Sequence, residues 1–205
     1  MIPDATLDSL TGRQGLAVWS EMISDGTLVL ERQGAMDRAR PIVSTFLFGS
    51  PELYGWVDHN PRIHMMRTET INDPGMIACQ PAMTSINTAL QVDLFAQANA
   101  NHVAGQIYSG FGGQTDFTVG AMHSPNGQAV IALPSWHEKS DLSTIVAALT
   151  GPVTSFQHSA LVTEHGCASV FGRSQRAQAR LIIDNIAHPD ARHQLHEAAA
   201  SIGLT

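Results

Sequence analysis

The first residue whose position suggests chemistry is Glu21. It follows a short apolar run at residues 16–19, which reads as a buried strand, and precedes Ser24-Asp25-Gly26, which offers a helix cap. The spacing therefore places Glu21 at the carboxyl end of a strand, just before a helix. In open α/β sheets that edge is where ligands bind. A carboxylate there is partly desolvated and close to helix N-terminal amides, which suits a nucleophile. A solvated loop glutamate or a capping group would occupy the same position. The second feature is Gly110-Phe111-Gly112-Gly113-Gln114-Thr115-Asp116-Phe117. Glycines packed this closely before a helix let backbone N–H groups approach a ligand, as an oxyanion hole or an anion cradle. A tight turn or bulge is the other reading. Thr115 stands where the third glycine of Gly-x-Gly-x-x-Gly would be, and no Gly-x-x-x-x-Gly-Lys loop is present.

Glu164-His165-Gly166 lies on a turn between two apolar runs. A carboxylate beside an imidazole can do acid–base work, although surface turns carry such pairs often. Asn87, like Asn72-Asp73-Pro74, is polar in apolar surroundings and reads equally as a turn or capping group. Of the ten histidines, His193 and His196 share a helical face near His188, but no third ligand at metal spacing joins them. No metal is expected. A Gly-x-Ser-x-Gly elbow is absent, which argues against a serine hydrolase.

These residues need a scaffold, and composition bounds it. The chain has 205 residues, 43% hydrophobic and 14% charged, enough for a buried core and unlike a disordered segment. A net charge of −7 with only 11 Lys plus Arg argues against a nucleic-acid surface. Cys79 and Cys167 form no Cys-x-x-Cys pair and suggest no disulfide framework. The N-terminal residues carry no signal-peptide pattern, and no apolar run reaches the ~18 residues of a membrane span. The expectation is a soluble, cytoplasmic protein that binds neither nucleic acid nor membrane.

Apolar periodicity predicts helices over residues 4–14 (stopped by Gly15), 25–34 and 51–59, and strands over 16–19 and 41–48. Strand signals follow at 83–94, 129–133, 160–163 and 167–171. A helical pattern from Ser174, with Ala177, Leu181 and Ile182 on one face, continues as a second helix after Pro189. Alternating strands and helices predict an α/β domain with a largely parallel sheet flanked by helices.

Several separated stretches, in order, resemble the acetyl-CoA hydrolase/transferase family. They are Ile2-Pro3-Asp4-Ala5, Ser20-Glu21-Met22-Ile23-Ser24-Asp25-Gly26, Phe48-Gly49-Ser50 and Asn72-Asp73-Pro74, then Ile86-Asn87-Thr88-Ala89-Leu90-Gln91-Val92-Asp93-Leu94 and Tyr108-Ser109 leading into the glycine run. Thr163-Glu164-His165-Gly166 and Ile186-Ala187-His188-Pro189-Asp190 complete the set. The resemblance implies a NagB/RpiA/CoA-transferase-like domain, with residues 1–205 as the single C-terminal domain of a family whose N-terminal half is absent here. It implies CoA transfer from an acyl-CoA to a small carboxylate, or acyl-CoA hydrolysis, with coenzyme A entering as substrate. Glu21 would be the catalytic carboxylate, forming a glutamyl-CoA thioester. Gly110, Gly112, Gly113 and Gln114 would supply oxyanion and CoA contacts, with Asn87 and Glu164 secondary and Phe117 packing the loop. A homodimer is expected, and an N-terminal half or subunit of the same family is a possible partner. The alternative is a non-catalytic domain that binds CoA or a partner and needs that half for activity. The chain departs from the family at Trp19-Ser20, where His-Thr is frequent, and at His165, where Tyr is common.

Overall fold

The computed structural model describes residues 2–151, 153 and 157–205. The chain divides into two compact units, Met1–Gln80 and Pro81–Thr205. Strands and helices alternate and the principal sheets are built on parallel pairs, so the expected α/β class is the one found.

In the first unit α1 (Ile2–Ser9) leads into β1 (Trp19–Ile23), α2 (Asp25–Arg32), β2 (Ile42–Leu47), α3 (Pro51–Val57), β3 (Ile63–Met65), α4 (Thr68–Ile71) and α5 (Pro74–Ala78). The sheet has the order β1-β2-β3 and is parallel throughout. Ile23, Leu30, Ala35, Met36 and Ile42 form its core, with Leu7 and Leu10 packed against them. Two boundaries differ most from the sequence reading. The first helix stops at Ser9 instead of residue 14, because Gly12 turns the chain at φ 84°. The first strand begins later than residue 16. Leu16 makes only an isolated bridge to Met36, and the ladder starts where Trp19 meets Val43 of the longer apolar run. Glu21 is therefore the middle residue of β1, not one that follows a strand's end.

The second unit begins with β4 (Thr84–Thr88), β5 (Gln91–Asp93), β6 (Ala98–Asn99) and the hairpin of β7 (His102–Val103) and β8 (Gln106–Ile107). Then come α6 (Gln114–His123), β9 (Gln128–Ala132), the hairpin of β10 (Trp136–His137) and β11 (Leu142–Ser143), and β12 (Ile145–Val146). The chain ends with β13 (Ala160–Thr163), β14 (Gly166–Ser169), α7 (Gln175–Leu181), a π-helical turn (Ile182–Ile186) and α8 (Pro189–Ser201). The larger sheet has the order β14-β13-β9-β4, with β4, β9 and β13 parallel and β14 returning antiparallel. The smaller has the order β12-β5-β6.

Strand alternation decides which face of the larger sheet is covered. Ser85, Ala129, Ile131, Leu161 and Ala168 are buried, while Thr84, Ile86 and Thr88 are exposed. Burying Ile131 and Leu161 completely contributes about 1.5–3 kcal/mol each. After α7 the wide π turn inserts one extra residue, so Ile182, Ile183 and Ile186 all reach the core. The single face predicted from Ala177, Leu181 and Ile182 is corrected accordingly: Ala177 and Leu181 are only half-buried.

His158 lies in this unit with 3% of its surface exposed. Burial lowers its pKa to about 4, and a hydrogen bond with the Ala96 backbone opposes the shift. An unfolded histidine titrates near 6.5, so between these values the folded state binds fewer protons. Its contribution is complete above about pH 6.5 and is lost as pH falls towards 4, by about 3 kcal/mol in all. Thermal melts at pH 7 and pH 4.5 are expected to show a smaller acid-induced drop in Tm for His158→Gln than for the parent chain.

Candidate active site

Glu21 stands half-buried in β1. Its backbone is fixed from β2: the ladder pairs Ser20 with Ser44 and Met22 with Phe46, and the fully buried Ser44 hydroxyl donates to the Glu21 carbonyl at 3.1 Å. Trp19 donates its indole N–H to the Ile71 carbonyl at 2.9 Å, anchoring the strand's start to α4. A carboxylate in the middle of a paired strand keeps its position when a substrate arrives, which a loop residue does not.

The carboxyl edge of this sheet is held by Asp25. Its carboxylate accepts the Ser50 backbone N–H at 3.0 Å and the Ser50 hydroxyl at 2.7 Å, tying the first turn of α2 to the N-cap of α3. Gly49 is required by this approach, since a Cβ there would sit 2.8 Å from both Asp25 Oδ2 and Leu53 Cδ2. Ser24, expected to cap α2, instead donates its hydroxyl to Asp4 at 3.0 Å and makes no side-chain cap. Asp25→Ala removes both bonds to Ser50 and is expected to cost about 1–2 kcal/mol, read as a lower urea midpoint with an unchanged m-value.

In the second unit the glycine run ends at the N-terminus of α6, with Gly113 at the cap. Gly112 has φ 57°, a left-handed conformation that favours glycine, while a Cβ at Gly110 would meet the Gly112 backbone nitrogen only at an ordinary 4.0 Å. The first-turn amides of a helix lack intrahelical acceptors and carry its positive dipole end. Gln114, 7% exposed, donates its side-chain amide to the Thr88 carbonyl at 3.2 Å and so docks the glycine loop on the carboxyl end of β4. Asn87, the residue before Thr88, has a buried side-chain nitrogen with no acceptor among the described residues. A buried donor without an acceptor is a polar group prepared for an incoming oxygen. Phe117 is 7% exposed and packs inside.

Thr88, Ala132 and Val162 sit side by side in the ladder, so the Glu164 turn after β13 lies on the same edge as the glycine loop. Glu164 is held there by Ser135, which gives its backbone N–H at 2.9 Å and its hydroxyl at 2.5 Å. Burial alone would raise the Glu164 pKa. The bonds from Ser135, the Glu164 backbone and the nearby His165 imidazole outweigh it and keep the carboxyl below its ordinary range. At neutral pH it is an acceptor only, clamping the segment after β9 to the turn after β13. His165 lies 3.6 Å from Glu164 and edge-on to His188 at 5.5 Å, and Trp136 lies 4.7 Å beyond His188.

The structure thus brings Asn87, Gly112, Gly113, Gln114 and Glu164 to one edge of the second unit. Gly110 lies in the same loop, and Glu21 belongs to the first unit. Sequence reading missed Ser44, Ser50 and Ser135, whose partners are 23, 25 and 29 residues away. Gly49 beside Ser50 was the one local sign of a close approach. Among the described residues no group of three His, Cys, Asp or Glu converges as metal ligands, and His193 and His196 turn instead to Glu197 and Asp184. No helix among the described residues is long and apolar enough to cross a membrane.

Residues 49–199 match the family model described as the acetyl-CoA hydrolase/transferase C-terminal domain. The chain belongs to that family. It is similar to the succinyl-CoA:acetate/propanoyl-CoA:succinate CoA transferase of Fasciola hepatica, at 39% identity over 97% of this chain and 44% of the relative. It is also similar to the 4-hydroxybutyrate coenzyme A transferase of Clostridium kluyveri, at 38% identity over 95% of this chain and 47% of the relative. Among solved structures, RipA from Yersinia pestis superposes with a TM-score of 0.93 at 34% identity, covering all of this chain and 48% of RipA. The chain spans about half the length of the relatives it matches. Membership accounts for the mixed α/β fold, because the solved relatives share it across both units.

Proposed function

We propose that the chain is the C-terminal half of an acyl-CoA:carboxylate CoA-transferase, with acyl-CoA hydrolysis as its close variant and Glu21 as nucleophile. The observation that carries the reading is a glutamate fixed in the central part of β1 by Ser44, in a member of a family named for this chemistry. The Glu21 carboxylate attacks the thioester carbonyl and CoA thiolate leaves, giving a mixed anhydride. The thiolate then attacks the glutamyl carbonyl, the acyl group departs as a carboxylate, and a glutamyl-CoA thioester remains. An acceptor carboxylate reverses these steps to form a new acyl-CoA and free Glu21, whereas water releases CoA and the glutamate. Exclusion of water decides between the two. Within the second unit the Gly112 and Gly113 amides, with Gln114 and Asn87 as further candidates, are suited to hold a CoA oxygen or an oxyanion, and Glu164 acts through the clamp on Ser135.

The substrates on this reading are an acyl-CoA and a small carboxylate, with no metal, and the protein acts as a homodimer. A second reading is favoured by the chain's half-length match: it binds CoA and turns over only with an N-terminal half of the same family. CoA exchange from acetyl-CoA to propionate, followed by thioester chromatography for the chain alone and with such a half added, tests both. Ping-pong kinetics support the transferase, and no exchange in either mixture contradicts it.

A further inference from the structure

The bonds from β2 fix the backbone of Glu21, but its side chain has rotatable bonds of its own. A nucleophilic carboxylate needs those held too, because a displacement of about 1 Å costs on the order of 10²-fold in rate. The face on which the side chain lies shows what holds it. Ser20 pairs with Ser44 and Met22 with Phe46, so Glu21 and Thr45 stand side by side between these pairs, on the opposite face of the sheet. Neighbouring strands lie about 4.8 Å apart, which brings a glutamate and a hydroxyl within reach of each other. Trp19, two residues before Glu21, shares that face.

The short helix α4 spans the same face. At its first residue the Thr68 hydroxyl shares a hydrogen bond of 3.1 Å with the Thr45 hydroxyl. At its last residue the Ile71 carbonyl accepts the Trp19 indole N–H, and the Ile71 side chain is fully buried. The two bonds flank Glu21, one on the neighbouring strand and one on its own. Thr68 is exposed and Thr45 half-buried, so their bond adds little to stability: water offers either hydroxyl an equal partner. Its consequence is orientation. A hydroxyl has one proton and two lone pairs, so a Thr45 oxygen that accepts from Thr68 keeps its own proton to donate. An ionised carboxylate is an acceptor only, and hydrogen bonds to it are among the stronger kinds.

Resting on the transferase reading, we infer that Thr45 is a positioning residue for Glu21. Its hydroxyl donates to the Glu21 carboxylate while Thr68 donates to Thr45. The relay selects the side-chain conformation from which the carboxylate attacks, and no proton is transferred in doing so.

CoA exchange from acetyl-CoA to propionate, by the chain with a family N-terminal half added, tests this in Thr45→Val, Thr45→Ser, Thr68→Val and Glu21→Asp. Thr45→Val is expected to lower kcat roughly 10- to 100-fold, with KM within about twofold and a parent-like urea midpoint. Thr45→Ser should recover most of that loss, and Thr68→Val should show a smaller loss of the same kind. In the Glu21→Asp background Thr45→Val should cost much less, because the shortened carboxylate no longer reaches the hydroxyl. Losses that multiply in the double variant, a parent kcat in Thr45→Val, or a kcat loss matched by a lower midpoint overturn the inference while the transferase reading stands. Should Thr45→Val fail to fold, a parent kcat in Thr68→Val overturns it equally. If the parent chain shows no exchange, the transferase reading falls and the inference falls with it.

Discussion

Glu21→Gln is expected to remove CoA exchange almost completely, by roughly 10⁴-fold or more, because the amide retains the shape but not the nucleophile. Such a loss is informative when the scaffold survives the substitution, which melting temperatures report. The Ser44 bond goes to the Glu21 backbone carbonyl, and the ladder pairs on either side involve Ser20 and Met22, so none depends on the carboxylate. Glu21→Asp retains the charge but withdraws it by one methylene, and a displacement of that size costs on the order of 10²-fold. The graded series, with melting temperatures within a few degrees of the parent, separates a nucleophile from a structural glutamate. Exchange surviving in Glu21→Gln would remove this residue from the chemistry.

Gly127→Ala is expected to produce the largest loss of stability, about 3 kcal/mol or more. A Cβ at this position would overlap the Ala121 carbonyl oxygen and lie 2.8 Å from Ser124 Cβ. Backbone cannot rotate away as a flexible side chain can. The clash falls where α6 ends and β9 begins, while the other end of α6 carries the glycine loop and the Gln114 bond to Thr88. Relief of the overlap must shift α6 along the sheet, so a fall in urea midpoint and weaker CoA binding are expected together. Gly55→Ala, with open space around its Cβ, serves as the matched control and should change neither by much. A parent-like midpoint for Gly127→Ala would show that the α6–β9 corner is not packed as described.

Much of this fold could be read from local chemistry. The helix expected over 51–59 is found as α3, begun by Pro51 at its first turn with the Ser50 hydroxyl accepting the Leu53 N–H. The glycine run was legible as a loop opening a helix, and the Gly166 turn as a hairpin, because both depend on neighbours in sequence. Strand limits were less legible, since a ladder begins where its partner begins: Val43 sets the start of β1 at Trp19. The π turn at Ile182–Ile186 followed from packing against β13 and β14, which no helical periodicity encodes. Glu21 and the glycine loop were singled out through residue type and resemblance. The groups that hold the candidate residues within each unit (Ser44 and Asp25 with Ser50 in the first, Ser135 with Glu164 in the second) join segments distant in sequence, and a single sequence carries no signal for such pairs.

The central claim is that Glu21 becomes covalently joined to CoA. Intact-protein mass spectrometry after mixing the chain with acetyl-CoA or butyryl-CoA, with and without a family N-terminal half, and then reducing with borohydride, tests it most directly. Reduction turns a glutamyl-CoA thioester into an alcohol and leaves a small permanent loss of mass. The account predicts that loss, mapped to the peptide containing Glu21 and absent from Glu21→Gln. An unchanged mass in every mixture, or a loss mapped to another carboxylate, would contradict it.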